Sequence, residues 1–102
     1  MNATEKNIII IDSDLEDLIP GFLENRGKDV LTLKKACEDN DAETLRSVGH
    51  SLKGVGGGYG FDEMSRIGAE IELLAKSSDV DGVGPLIKQL EDYMENIEIK
   101  YE

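Results

Sequence analysis

From about residue 13 onward the apolar residues of this chain recur every three or four positions, the spacing of one buried face on an α-helix. Ser13-Asp14-Leu15-Glu16 has the form of a capping box and predicts a helix start. Pro20 predicts that this first helix is short and that a new one begins beside it. Phe22, Leu23, Val30, Leu33 and Cys37 then share one stripe, in which Gly27 costs about 1 kcal/mol relative to alanine without ending the helix. Asn40-Asp41-Ala42-Glu43 marks the next break, again with a capping pattern. The helix after it carries Leu45, Val48, Leu52, Val55 and Tyr59 inward. A further helix runs from Phe61 or Asp62 to Lys76, with Phe61, Met64, Ile67, Ile71, Leu74 and Ala75 inward, and Ser77-Ser78-Asp79 closes it. The last helix, with Leu86, Leu90, Tyr93, Met94 and Ile97 as its stripe, is placed near Asp81 so that Pro85 falls in the first turn.

Short connections between long amphipathic helices favour antiparallel neighbours. The expected fold is therefore all-α, an antiparallel up-and-down four-helix bundle with a short extra N-terminal helix. The run Ile8–Ile11 has strand character, but no second strand is evident to pair with it. It is expected to be part of an extended N-terminal arm, residues 1–12, laid over a bundle domain of residues 13–102.

Composition narrows the function classes. A chain of 102 residues makes one domain. Its net charge of −11, from 22 acidic and 11 basic residues, disfavours binding to a nucleic-acid backbone. One cysteine permits neither an internal disulfide nor a cysteine-based metal site, and Cys37 reads as a small core residue. The four-residue apolar run at Ile8–Ile11 is too short for a signal peptide, and nothing downstream could span a membrane. A cytoplasmic location follows as the expectation, and with no spare apolar stripe, a monomer.

The candidate chemistry centres on the only histidine. Helical phase sets His50 about 200° around the axis from Leu52, and likewise from Val48, so it faces outward while the apolar stripe faces the bundle. Arg46, Ser47, Lys53, Gly54 and Gly57 share its face. Between Thr44 and Phe61 the chain has no acidic residue, and Arg46 and Lys53 are the only charges. A locally basic face on an acidic protein suits a site that handles an anion.

Gly54, Gly56, Gly57, Gly58 and Gly60 crowd the end of this helix, each interior one at a cost of roughly 1 kcal/mol. They either let a partner's surface approach the imidazole, the reading favoured for Gly54 and Gly57, or let adjoining helices turn and pack closely. A nucleotide-binding loop does not fit. No lysine-threonine pair follows Gly60, no GxGxxG register is present and no strand precedes the run.

The segment His50-Ser51-Leu52-Lys53-Gly54, closed by Gly60, resembles the HxLKGxxxxxG signature of the histidine-containing phosphotransfer (HPt) domain family. The resemblance extends from about Leu18 through Ile97. It implies that His50 is the phosphoacceptor, taking a phosphoryl group from a receiver-domain aspartyl phosphate and passing it to another aspartate. By the same resemblance Lys53 balances the phosphoryl charge and Gly54 keeps the imidazole accessible. Counting through the signature sets Glu72 where family members carry a residue that orients the imidazole through Nδ1, with Glu70 as a competitor. A carboxylate there would leave Nε2 free and more nucleophilic. Gly56 and Gly58 replace larger residues common in the family, which suggests a looser helix end, and Val55 replaces a small or polar one.

The implied role is a phosphoryl carrier in two-component signalling, without kinase activity, metal site or cofactor of its own. Its implied partners are response-regulator receiver domains, which supply the Mg²⁺, and a hybrid histidine kinase. The alternative is a helical adaptor that binds receiver domains or another helical partner without carrying phosphate. A hydrolase using His50 as general base lacks an evident nucleophile, since Ser51 points away along the helix.

Overall fold

The computed structural model describes residues 7–102. A strand, β1 (Asn7–Ile11), leads into a 3-10 helix (Ser13–Leu18) and then four α-helices: α1 (Ile19–Glu38), α2 (Ala42–Gly58), α3 (Asp62–Lys76) and α4 (Val83–Glu95). A second strand, β2 (Ile97–Tyr101), ends the chain's ordered elements.

The local signals that set these boundaries are mostly those read from the sequence. Asp12, one residue earlier than the expected cap, accepts from the Asp14 backbone N–H at 2.9 Å and opens the 3-10 helix. Pro20 sits in the first turn of α1, where its missing N–H leaves no bond unmade. Asp41 caps α2, accepting from the Thr44 N–H at 3.1 Å and from its hydroxyl at 2.6 Å. Those bonds to Thr44, the side-chain one foremost, hold the Asp41 carboxyl below its usual range. α4 begins at Val83, two residues later than expected, with Pro85 still in its first turn.

Among the described residues eighteen buried hydrophobic side chains form one core, and Leu33, Leu45, Leu52, Phe61, Met64, Ile71, Val83 and Leu90 are fully enclosed. Phe22 stacks on Phe61 at 5.1 Å and tilts against Tyr59 at 4.5 Å, joining α1 to the α2–α3 turn. Leu23, Cys37, Val48, Val55, Leu74 and Met94, expected inward, are half-buried at the margin of this core. Ala36, Val83 and Ile87 occupy buried positions that the stripes did not include.

The termini depart from expectation. Ile8–Ile11 is not an unpaired arm: β1 pairs in parallel with β2, with Asn7 opposite Ile97 and Ile11 opposite Tyr101. Residues 1–6 of the expected arm lie outside the described residues. Ile97 accordingly leaves the α4 stripe, because the helix ends at Glu95 and the chain becomes extended. A parallel pair needs a long crossover between its strands. Here the whole bundle is that crossover.

Candidate functional site

The site is built on the most extensive contact between elements among the described residues, the seam between α2 and α3. Gly49 on α2 and Gly68 on α3 face each other with nothing between. A Cβ at Gly49 would lie 2.8 Å from the Glu72 backbone nitrogen, and one at Gly68 would lie 2.6 Å from the Lys53 backbone nitrogen. Only glycine permits that approach. Gly56 repeats it further along, its absent Cβ lying 2.9 Å from the Ser65 nitrogen. The Ser65 hydroxyl also donates to the Lys53 carbonyl at 2.6 Å, a cross-helix bond one turn from His50. α2 stays helical through Gly58.

His50 follows Gly49 and Glu72 follows Gly68 by one turn, so the glycine contact sets their spacing. The His50 side chain is 68% exposed, whereas Glu72 is 10% exposed at the side chain. Nδ1 and Glu72 Oε2 are 2.9 Å apart. With Nδ1–H donating to that carboxylate, the neutral imidazole carries its lone pair on Nε2, facing away from the seam. Glu70 makes no such contact; it pairs with Arg66 at 2.8 Å on the outer face of α3.

Glu72 is the most buried charged residue among the described residues. Removal from water pushes its pKa up, and is the largest single influence. The hydrogen bond from His50, with the positive charges of His50, Lys76 and Lys53, together outweighs it and leaves the carboxyl below its ordinary value. Lys53 Nζ stands 4.0 Å from Oε1 and Lys76 Nζ 3.8 Å from Oε2. One nearly buried carboxylate is thus ringed by an imidazole and two ammonium groups.

Of the residues singled out in the sequence, His50, Lys53 and Glu72 come together here. Gly54 lies exposed one turn from the histidine, and a Cβ there would meet nothing within 4 Å. Gly57 is also exposed, flanked by the Ser65 side chain. Arg46 is drawn off into an ion pair with Glu43 at 2.5 Å. The acid-free window of the sequence is therefore not acid-free in space, because Glu43 and Glu72 enter it from outside. Lys76, Gly49 and Gly68 were missed. Lys76 follows Glu72 by one helical turn, a signal that was available; the glycine pair leaves no mark in a hydrophobic pattern.

Among the described residues no group of three or more His, Cys, Asp or Glu side chains is arranged to hold a metal ion. No helix of these residues is long and apolar enough to cross a membrane. The Cys37 thiol is pushed up by burial and by Asp81, which keeps it protonated. The reactive group this surface offers is an exposed imidazole of fixed orientation beside two cations.

Comparison with known proteins agrees with that geometry. The family model of the Hpt domain matches residues 17–99. No curated protein and no solved structure matches the chain. With most of its length covered and a histidine oriented on the helical bundle that the family uses, the chain belongs to the Hpt domain family, whose members carry phosphoryl groups on histidine in two-component phosphorelays.

Proposed function

We propose that Nε2 of His50 accepts a phosphoryl group from the aspartyl phosphate of a receiver domain and returns it to the aspartate of another. The Nε2 lone pair forms the new N–P bond as the P–O bond to the donor carboxylate breaks, and that carboxylate leaves with the electron pair. Positive charge develops on the ring, and the Glu72 carboxylate 2.9 Å from Nδ1 stabilises it. Lys53, one turn on and 54% exposed, is free to swing from Glu72 toward the phosphoryl oxygens. Such transfers pass through a loose transition state, so positioning and charge stabilisation suffice. That matches a site with no nucleotide loop. Mg²⁺ is expected on the receiver side of the complex.

The observation that carries the reading is the exposed imidazole tied through Nδ1 to a nearly buried carboxylate. An incidental surface histidine has no need of such a partner. Gly54 and Gly57 would provide a low surface for the receiver domain, with Arg46 at its margin. Connections of residues 39–41, 59–61 and 77–82 support reading the helices as an antiparallel up-and-down bundle that holds this face rigid. A hybrid kinase is the proposed upstream partner, and the cytoplasm the proposed place of action.

The test is transfer from a phosphorylated receiver domain. Wild-type protein is expected to take acid-labile, base-stable label, and His50→Gln to take none while keeping its helical circular dichroism. Lys53→Ala is expected to slow transfer by about tenfold or more without abolishing it, as loss of one charge-stabilising group does. Label on His50→Gln would overturn the reading, and absence of label on wild type against every receiver domain of its source would favour the adaptor.

A further inference from the structure

Among the described residues the small sheet leaves one backbone edge open. The Asn7 N–H donates to the Asn96 carbonyl at 2.6 Å, Glu102 N–H to Ile11 at 3.0 Å and Ser13 N–H to Glu102 at 2.8 Å. In a parallel ladder the N–H and C=O of a residue point to the same side, and successive residues alternate. Glu98, Lys100 and Glu102 therefore face β1, and Ile97, Ile99 and Tyr101 turn their backbone groups the other way. Among the described residues no hydrogen bond reaches those outward groups. Among these residues β1 is also the only element in extended contact along β2. The opposite edge of the sheet is partly covered, since a Cβ at Gly60 would lie 3.8 Å from the Ile10 carbonyl.

We propose that β2 is a self-association edge, which pairs antiparallel with β2 of a second copy about a two-fold axis through Ile99. The sequence Ile97-Glu98-Ile99-Lys100-Tyr101 is complementary to itself in that register. Ile99 exchanges both backbone bonds with Ile99 of the second copy, and Ile97 does so with Tyr101. Their side chains, half-buried on the inner face, meet across the axis. Glu98 and Lys100, exposed on the outer face, fall in the non-hydrogen-bonded pairs, where side chains approach most closely. Each Glu98 then faces Lys100 of the second copy.

Neighbouring registers are rejected by charge. Outward-facing residues must oppose outward-facing ones, so the strands can slip only by two. Slipping one way sets Glu98 against Glu98, and the other sets Lys100 against Lys100. A lysine on an exposed edge commonly discourages pairing; here the alternation of acid and base supplies its partner. The product is a continuous four-stranded sheet, better supported than a two-stranded one. A five-residue edge buries little area, so the dimer is weak and reversible. Repulsion between two chains of net charge −11 opposes it, but is screened beyond about 8 Å at physiological salt. The expectation of a monomer rested on side-chain stripes, to which a backbone edge is invisible.

Sedimentation equilibrium of the 102-residue chain in about 0.15 M salt tests this at concentrations up to about 1 mM, high enough to populate a dimer with a dissociation constant in that range. Wild type is expected to show a reversible monomer–dimer equilibrium. Glu98→Lys and Lys100→Glu each replace both cross-axis pairs by like charges and are expected to weaken it by about tenfold or more. The double swap restores the pairing and should return the association to near wild type. Mixing the two single variants should yield a heterodimer, because each then carries the charges the other lacks. Circular dichroism confirms that the substitutions, all on the exposed face, leave the fold intact. A monomer throughout the range, or single variants that associate like wild type, would overturn the proposal. So would failure of the swap to restore association.

Discussion

The α2–α3 seam and the β1–β2 ribbon join parts of the chain by opposite means. In the seam, backbones touch because side chains are absent at Gly49, Gly56 and Gly68. In the ribbon, backbones join through hydrogen bonds, and side chains such as Ile11 fill the space behind. Packing of main chain on main chain has no rotamer to adjust, so it tolerates almost no added volume. Packing of isoleucine side chains can relax. The proposed chemistry stands on the intolerant contact, where the helix separation those glycines permit leaves His50 and Glu72 2.9 Å apart.

The contrast is broken most severely at Gly68. A Cβ there meets the Lys53 nitrogen at 2.6 Å and the Gly49 oxygen at 2.8 Å, so Gly68→Val must force α2 and α3 apart. The expected loss is about 3 kcal/mol, the upper end for overpacking, because backbone cannot swing aside. Ile11→Ala in the ribbon removes a side chain that is 2% exposed and is expected to cost about 2 kcal/mol, the low end for such truncations. Urea unfolding midpoints measure both. Phosphoryl acceptance under native conditions separates them further. It should fall for Gly68→Val, whose Glu72 shifts away from the imidazole, and hold for Ile11→Ala. Equal transfer by the two variants would mean that the seam does not set the site.

The same two regions mark what was legible in the sequence. The four helices and the outward phase of His50 were readable because helical periodicity is local, and Lys53 and Glu72 followed from the spacing of the signature. The seam was half visible: glycines after His50 were noticed for their density. Gly49 and Gly68, which do the closest packing, were hidden among the residues of ordinary helices. β2 was present as the alternation Ile97-Glu98-Ile99-Lys100-Tyr101, but Ile97 also continued the α4 stripe. Pairing between the two ends of the chain is not a local property, so Ile8–Ile11 read alone had no partner strand.

A pH experiment sharpens the electrostatic side of the seam. The Glu72 carboxyl lies below its ordinary value of 4.5 because its bond to His50 and the nearby cations outweigh its desolvation. A depressed carboxyl pKa contributes stability above the unfolded value, and that contribution is lost as pH falls through the lower folded value. Wild-type stability should therefore fall more steeply than that of Glu72→Gln as pH drops through the unfolded value toward the lower folded one. Urea midpoints taken across that window measure the difference. Parallel curves would mean that the charge on Glu72 contributes nothing to the fold. The ribbon has no comparably buried charge among the described residues, so Lys100→Gln should leave the acid limb unchanged.

The smallest expected effect lies on the open side of the seam. Gly54 is an interior residue of α2, exposed, with nothing within 4 Å of a Cβ built upon it. Alanine there reduces the freedom of the unfolded chain and favours helix, so Gly54→Ala is expected to stabilise the protein by about 0.5–1 kcal/mol. The same methyl group stands one turn from His50, on the face that a receiver domain would cover. If Gly54 serves only the fold, the variant is more stable and transfers at the wild-type rate. If glycine is kept there for access, stability rises while transfer slows, and the slowing grows from Ala to Leu as the added side chain lengthens. Opposite movement of stability and rate is the expected result, because a helix-interior glycine that touches nothing has no packing reason to be there.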